Sequence, residues 1–175
     1  MDGKFIAIKI DSTSIAVGLE DGTIEYWQRI GHSNNQLYRS QPFKKWSSTS
    51  SHKDFVRVVD LSPNFVVSGS RDSTVRLWKR SNGQQLSVFK STNGPVSGIH
   101  LNESQKYVLL CTISGVIKKL HLKNDTKFEE DENFELKHGD NIDEMVMCVE
   151  NDLIVSGASD SRLLIWNIKK GMTSI

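Results

Sequence analysis

The sequence is poor in cysteine, poor in proline and without a long apolar run, and each shortage closes off a class of protein. The two cysteines, Cys111 and Cys148, are far apart and form no C-x-x-C pair, which argues against a zinc site or a thioredoxin-type centre. Each sits in an apolar run, so both are expected to behave as small buried hydrophobes in a reducing compartment. No stretch approaches the roughly 20 apolar residues that a membrane helix needs. The amino terminus, MDGKFIAIKI, alternates polar and apolar residues and reads as a strand rather than a secretory signal. These features lead us to expect a cytoplasmic or nuclear protein without membrane contact.

One-sided charge is missing as well. The formal net charge is +1 over 175 residues, which argues against a strongly basic nucleic-acid binder or an acidic disordered tail. The balance is uneven along the chain. Residues 40–90 hold nine Lys/Arg against three acids, and residues 125–152 hold eleven acids against two lysines. The acidic run Glu129–Glu132 is expected to be a solvated loop, with a docking strip for a basic partner as its functional alternative. Basic doublets such as Lys44-Lys45, Lys118-Lys119 and Lys169-Lys170 lack interleaved aromatics, a second argument against nucleic acid.

Motifs of catalysis are absent too. The chain contains no H-E-x-x-H, no G-x-S-x-G and no glycine-rich phosphate loop. The histidines at 32, 52, 100, 121 and 138 are dispersed, with His100 and His121 expected on strand surfaces. The expectation is a protein that is not an enzyme and has no metal or other cofactor.

What is present is repetition. Three segments share one pattern: AVGLEDGTIEYW (Ala16–Trp27), VSGSRDSTVRLW (Val67–Trp78) and VSGASDSRLLIW (Val155–Trp166). A fourth, LLCTISGVIKKL (Leu109–Leu120), keeps the rhythm but ends on leucine. The closing positions 27, 78, 120 and 166 are 51, 42 and 46 residues apart, the period of an array of supersecondary units. The second unit is the clearest. VRVVDL, ending at Ser62-Pro63-Asn64, then FVVSG, a tight turn at Ser70–Ser73, and the alternating TVRLW are three strands in succession. QQLSVF is the fourth, with Leu86 and Val88 expected inward. Four strands per unit without helical periodicity argue for an all-β fold. Such a sheet cannot bury both faces alone and needs a neighbour on each side.

On these residues the chain resembles the WD-repeat β-propeller family, over nearly its whole length. That resemblance implies four four-stranded blades, the last incomplete, in units of about 4–46, 52–91, 94–136 and 138–175 within one propeller region. It also implies a hydrogen-bonded quartet in the two units that match it in full: His52, Ser68, Asp72 and Trp78 in unit two, and His138, Ser156, Asp160 and Trp166 in unit four. The physical logic is that a buried carboxylate must be paired, and an imidazole can do so while passing a hydrogen bond to a hydroxyl and an indole. Unit one keeps Asp21 and Trp27 but has Val17 for the serine, and unit three has Leu110, Ser114 and Leu120. Residues Trp78-Lys79 and Trp166-Asn167 lack the aspartate that names the family. The turn acids Asp21, Asp72 and Asp160 read as repeated structure rather than as metal ligands.

The number of units is unusual for the family. A longer propeller of which this is a piece, a half-ring completed by another chain, and a small closed ring all fit, the first two being favoured. If two copies pair through the basic second unit and the acidic 125–152 stretch, added salt is expected to weaken the pairing. The family's partner face corresponds here to Phe55, Arg57 and Arg71 in unit two and Met145 and Ser159 in unit four. Ile6 and Glu20 correspond in unit one, and Ser97 and Ile113 in unit three. Arg57, Arg71 and Phe55 are either ordinary solvated positions or a patch for an acidic or phosphorylated peptide. Trp46 either packs under the end of unit one or is an exposed anchor. The expected function is a non-catalytic protein–protein interaction scaffold in a multiprotein complex. The alternative is the substrate-recognition propeller of an F-box-type ubiquitin ligase, although no F-box-like helical segment is seen.

Overall fold

A computed structural model of the chain describes residues 4–29, 43–48, 51–139, 145–150, 152–169 and 171–173. His32 and Lys170 lie outside the described residues, as does the side chain of Met145. Among the described residues every regular element is a strand. The first sheet comprises β1 (Phe5–Ile10), β2 (Ser14–Leu19), β3 (Ile24–Arg29) and β4 (Phe43–Ser47). The second has β5 (Val56–Leu61), β6 (Phe65–Ser70), β7 (Thr74–Lys79) and β8 (Gln85–Lys90). The third has β9 (Val96–Asn102), β10 (Tyr107–Thr112), β11 (Val116–Lys123) and β12 (Lys127–Lys137). The fourth has β13 (Met145–Glu150), β14 (Leu153–Ala158), β15 (Leu163–Asn167) and the three-residue β16 (Gly171–Thr173). Each sheet is an antiparallel meander in chain order.

The repeated turn is the local reason for the meander. Gly22, Ser73, Gly115 and Ser161 occupy one repeat position, five residues before 27, 78, 120 and 166, and have φ of 85°, 67°, 83° and 65°. A left-handed residue there gives the tight reversal that matches strand twist. In units one, two and four the preceding aspartate accepts the backbone N–H two residues on, at Thr23, Thr74 and Arg162, the Asx geometry that favours Asp in turns.

The sheets stand side by side, with β1 against β5, β5 against β9 and β9 against β13. Three apolar layers separate them. Ala16, Ile24 and Tyr26 meet Val56, Val59, Val66 and Trp78 between sheets one and two. Phe65, Val67 and Leu77 meet Val96, Val108, Leu110 and Leu120 between sheets two and three. Tyr107, Leu109 and Ile117 meet Ile154 and Trp166 between sheets three and four. Each fully buried aliphatic side chain in these layers is worth about 1.5–3 kcal/mol. The result is an unclosed, propeller-like arc of sheets, with apolar side chains exposed at both ends.

Several expectations are corrected. Val88 points outward, because a bulge between Leu77 and Trp78 shifts the pairing of β8 and leaves Leu86 and Phe89 on the core side. Residues 129–132 are not a loop but part of β12, paired with β11. Their charges are met across the strands: Lys118 bonds Glu130 and lies 3.4 Å from Glu135, and Lys123 is 2.9 Å from Glu129. Asp131 is 3.1 Å from His121. Cys111 is buried but Cys148 is exposed, and both are free thiols. The reason is the place of Cys148 on the first strand of the last sheet, where no further sheet follows among the described residues.

Two polar ties span the layers. Arg80, after β7, donates to the Tyr26 hydroxyl (2.6 Å), the Ser62 carbonyl (2.6 Å), Ser14 Oγ (2.8 Å) and Asp11 (2.7 Å). Asp60 in β5 is buried, 2.9 Å from Lys9 Nζ of β1, and accepts the Leu101 amide of β9 at 2.9 Å. It therefore joins three adjacent first strands. Trp46 packs rather than projects: it stacks on Tyr26 at 5.3 Å and donates to the Arg80 carbonyl at 2.9 Å. Gly83, at φ 72°, lies against that ring, where a Cβ would come within 2.5 Å of it.

Candidate functional site

In sheet two the four expected residues form one chain of hydrogen bonds. Trp78 Nε1–H donates to Ser68 Oγ at 2.9 Å, and Ser68 Oγ lies 2.8 Å from His52 Nε2. His52 Nδ1 is 3.2–3.3 Å from the Asp72 carboxylate. Burial holds the His52 imidazole down to about 4, against the opposing pull of Asp72. Asp72 is itself lowered to about 2: burial resists this, but the Thr74 hydroxyl, the Lys53 amide and His52 outweigh it. A neutral imidazole beside an ionised carboxylate must carry its proton on Nδ1, so Nε2 accepts from Ser68 and every donor points one way. The quartet itself has no exposed nucleophile or acid. It knits the blade and sits on the side facing sheet one.

Sheet four brings the same types together in another way. Trp166 Nε1–H donates to Ser156 Oγ at 2.8 Å, and Ser156 lies 2.7 Å from His138 Nδ1. The ring is turned over relative to His52. His138 Nε2 is 3.3 Å from Asp160 Oδ1 yet forms no hydrogen bond. Where unit two has Thr74, unit four has Arg162, which lies over Asp160 at 2.6 Å and also donates to the His138 carbonyl at 3.2 Å. Burial opposes the lowering of Asp160, which the amide and guanidinium of Arg162 bring about.

At the start of β5, in sheet two, Phe55 and Arg71 are held together. The Arg71 amide donates to the Phe55 carbonyl at 3.0 Å, and the guanidinium lies 5.8 Å over the Phe55 ring. Arg71 is exposed and only 3.9 Å from Asp54, itself part-exposed. Such a pair is weak in water. Arg57 is half-buried at the bulge of β5. Met145 pairs with Ala158, beside exposed Ser159 in the next turn. These two lie on sheet four and the Phe55 group on sheet two, with sheet three between them.

Sequence reasoning missed Thr74, Arg162, Arg80 and the Lys9–Asp60 tie. Only Thr74 carried a signal, since Thr23 occupies the same place in unit one. Among the described residues no group of three His, Cys, Asp or Glu could hold a metal ion. Burial pushes the Cys111 thiol up to about 12, far from the range of a reactive thiolate. No helix among the described residues is long and apolar enough to cross a membrane.

Comparison with known proteins agrees with this architecture. A family model described as the TEP-1 C-terminal β-propeller matches residues 52–122. The ribosome biogenesis protein YTM1 of Kluyveromyces lactis is 24% identical across the whole chain, which spans 39% of that protein's length. Among solved structures, the computationally designed Ika4 protein superposes with a TM-score of 0.72 at 22% identity, covering 96% of this chain and 93% of the other. The designed Ika8 protein gives 0.69 at 20% identity, covering 98% of this chain and 48% of the other. The fold is thus that of a β-propeller arc, and the resemblance to WD-repeat propellers drawn from the repeats is supported by the chain's relatives.

Proposed function

We propose that this chain is a non-catalytic interaction platform in a multiprotein assembly, and that the Phe55–Arg71 group of sheet two takes an acidic or phosphorylated peptide. The observation that carries the reading is the exposed Arg71 guanidinium, set over Phe55 by a backbone hydrogen bond and only loosely met by Asp54. An aromatic floor under a guanidinium suits a carboxylate or phosphate, because Arg presents paired donors in a fixed plane. Arg57 adds a second cation, and Met145 and Ser159 extend the footprint across sheet three. The relationship to a protein named for ribosome biogenesis supports a role in assembly, in the cytosol or nucleus. Completion of the arc by another chain belongs to the same reading. No observation favours a ubiquitin-ligase subunit.

The test is binding of an acidic peptide and of its phosphorylated form, measured by fluorescence anisotropy. Replacing Arg57 and Arg71 by alanine is expected to weaken binding at least tenfold and to reduce its salt dependence. Unchanged capture by the double variant would sink the site.

A further inference from the structure

Among the described residues every internal sheet face in the arc is covered, and the two outermost faces are not. On sheet one the uncovered face presents exposed Phe5, Ile6 and Ile8 beside half-buried Ile15 and Trp27. On sheet four it presents Val146, Leu153 and Leu163. These are not random apolar surface residues. Pairing registers align Ile8–Val17 with Val59–Ser68, so Ile8, Ile15 and Trp27 are the counterparts of Val59, Val66 and Trp78. Ile8 is 67% exposed, whereas Val59 is 4% exposed. Likewise Leu153 and Leu163 are the counterparts of Phe65 and Val75. Leu163 is 74% exposed and Val75 0%. The face of sheet one is therefore the kind that receives a preceding sheet, and that of sheet four the kind that receives a following one.

We propose that a second copy of this chain covers both, sheet four of each copy docking on sheet one of the other, so that two arcs close one ring of eight sheets. This deepens the interaction-platform reading, and rests on it, by naming one partner. The occupant follows from the repeat. The missing interface is a fourth instance of the layer that already joins sheets one to two, two to three and three to four. Two such interfaces related by a two-fold axis leave no open face, whereas a single one would leave an end free to polymerise. The curvature is compatible, since nearly the whole arc superposes on 48% of a chain about twice its length. Exposed apolar faces of this kind are what a monomer in water avoids. The docking is apolar, because Glu129, Glu130 and Glu135 of β12 are already met by lysines of β11.

The experiment is light scattering on the purified 175-residue chain from low micromolar concentration upward, at low and at molar salt. The expected mass is twice the 19.8 kDa of one chain, and it persists in high salt. Ile8→Asp and Leu163→Asp are each expected to give monomers that melt cooperatively. Mixing the two variants is expected to restore a dimer, since one intact pair of faces remains. A monomer at all concentrations would overturn the proposal, leaving the faces to another chain or to a further segment. So would a dimer that dissociates as salt rises, or one that Leu163→Asp leaves intact. The wild-type salt series stands even where a variant fails to fold. A monomer that still binds the acidic peptide through Arg71 would remove the pairing and leave the platform, and a dimer that binds none would do the reverse.

Discussion

Sheets two and four carry the same four residue types at the same spacing, yet they are not the same device. In sheet two, His52, Ser68, Asp72 and Trp78 form an unbroken relay, and Thr74 and the Lys53 amide complete the carboxylate. In sheet four the serine and tryptophan repeat that geometry, but the histidine ring is turned and Arg162 holds the aspartate from outside. Sheet two lies between two neighbours and its aspartate is shielded. Among the described residues sheet four has one neighbour, and its aspartate is held by an exposed guanidinium. A motif fixes which groups meet. The surroundings decide how much that meeting is worth.

The largest break in this comparison is expected at the tryptophans. Trp78 is fully buried between two sheets, so Trp78→Ala should cost about 3–5 kcal/mol in urea denaturation. Trp166→Ala should cost less, because sheet four is uncovered on its far side and can relax into the space. Equal losses would mean that the second neighbour contributes nothing.

Acid should act on sheet two through His52. Its folded value of about 4 lies below the ordinary 6.5, so the unfolded chain binds the proton first. The stabilisation is complete above pH 6.5, falls as pH drops towards 4 and is then exhausted, a change of a few kcal/mol at roughly 1.4 kcal/mol per pH unit. Asp72 adds a second loss as pH falls from 3.8 to about 2. Denaturant midpoints at pH 7 and pH 5 should differ in the wild type and converge in His52→Gln.

Ser68→Ala strands both the Trp78 N–H and His52 Nε2 and should cost about 1–3 kcal/mol. Arg162→Thr puts the hydroxyl of unit two into unit four. It should raise the urea midpoint slightly and make it less sensitive to salt. The smallest effect is expected at Ser161, held at φ 65°. Ser161→Gly relieves a left-handed strain of about 1–2 kcal/mol, partly offset by the greater freedom of glycine in the unfolded chain. A thermal melt that moves down rather than up would refute the strain.

Much of the fold was legible because it rests on short-range rules. Alternation in TVRLW, the turn acids Asp21, Asp72 and Asp160, and the tight turn at Ser70–Ser73 all act within a few residues. The quartet spacings were legible for the same reason. Features depending on register or on a distant partner were not. Val88 turned outward through one bulge, Glu129–Glu132 became a strand because lysines of β11 met their charge, and Cys148 was exposed by its place in the last sheet. Arg80 carries no motif, and its partners Tyr26, Ser14 and Asp11 are more than fifty residues away. The grouping of Phe55 with Arg71 came from a resemblance, and a close approach of guanidinium to ring became visible only in three dimensions.

By itself the sequence determined that this chain makes four-stranded antiparallel units and that each must be stacked, because a sheet with two apolar faces is unstable in water. Only the tertiary structure decided which faces are satisfied. Burial is a property of neighbours, and Ile8 and Val59 are alike as residues but differ in whether a sheet lies against them.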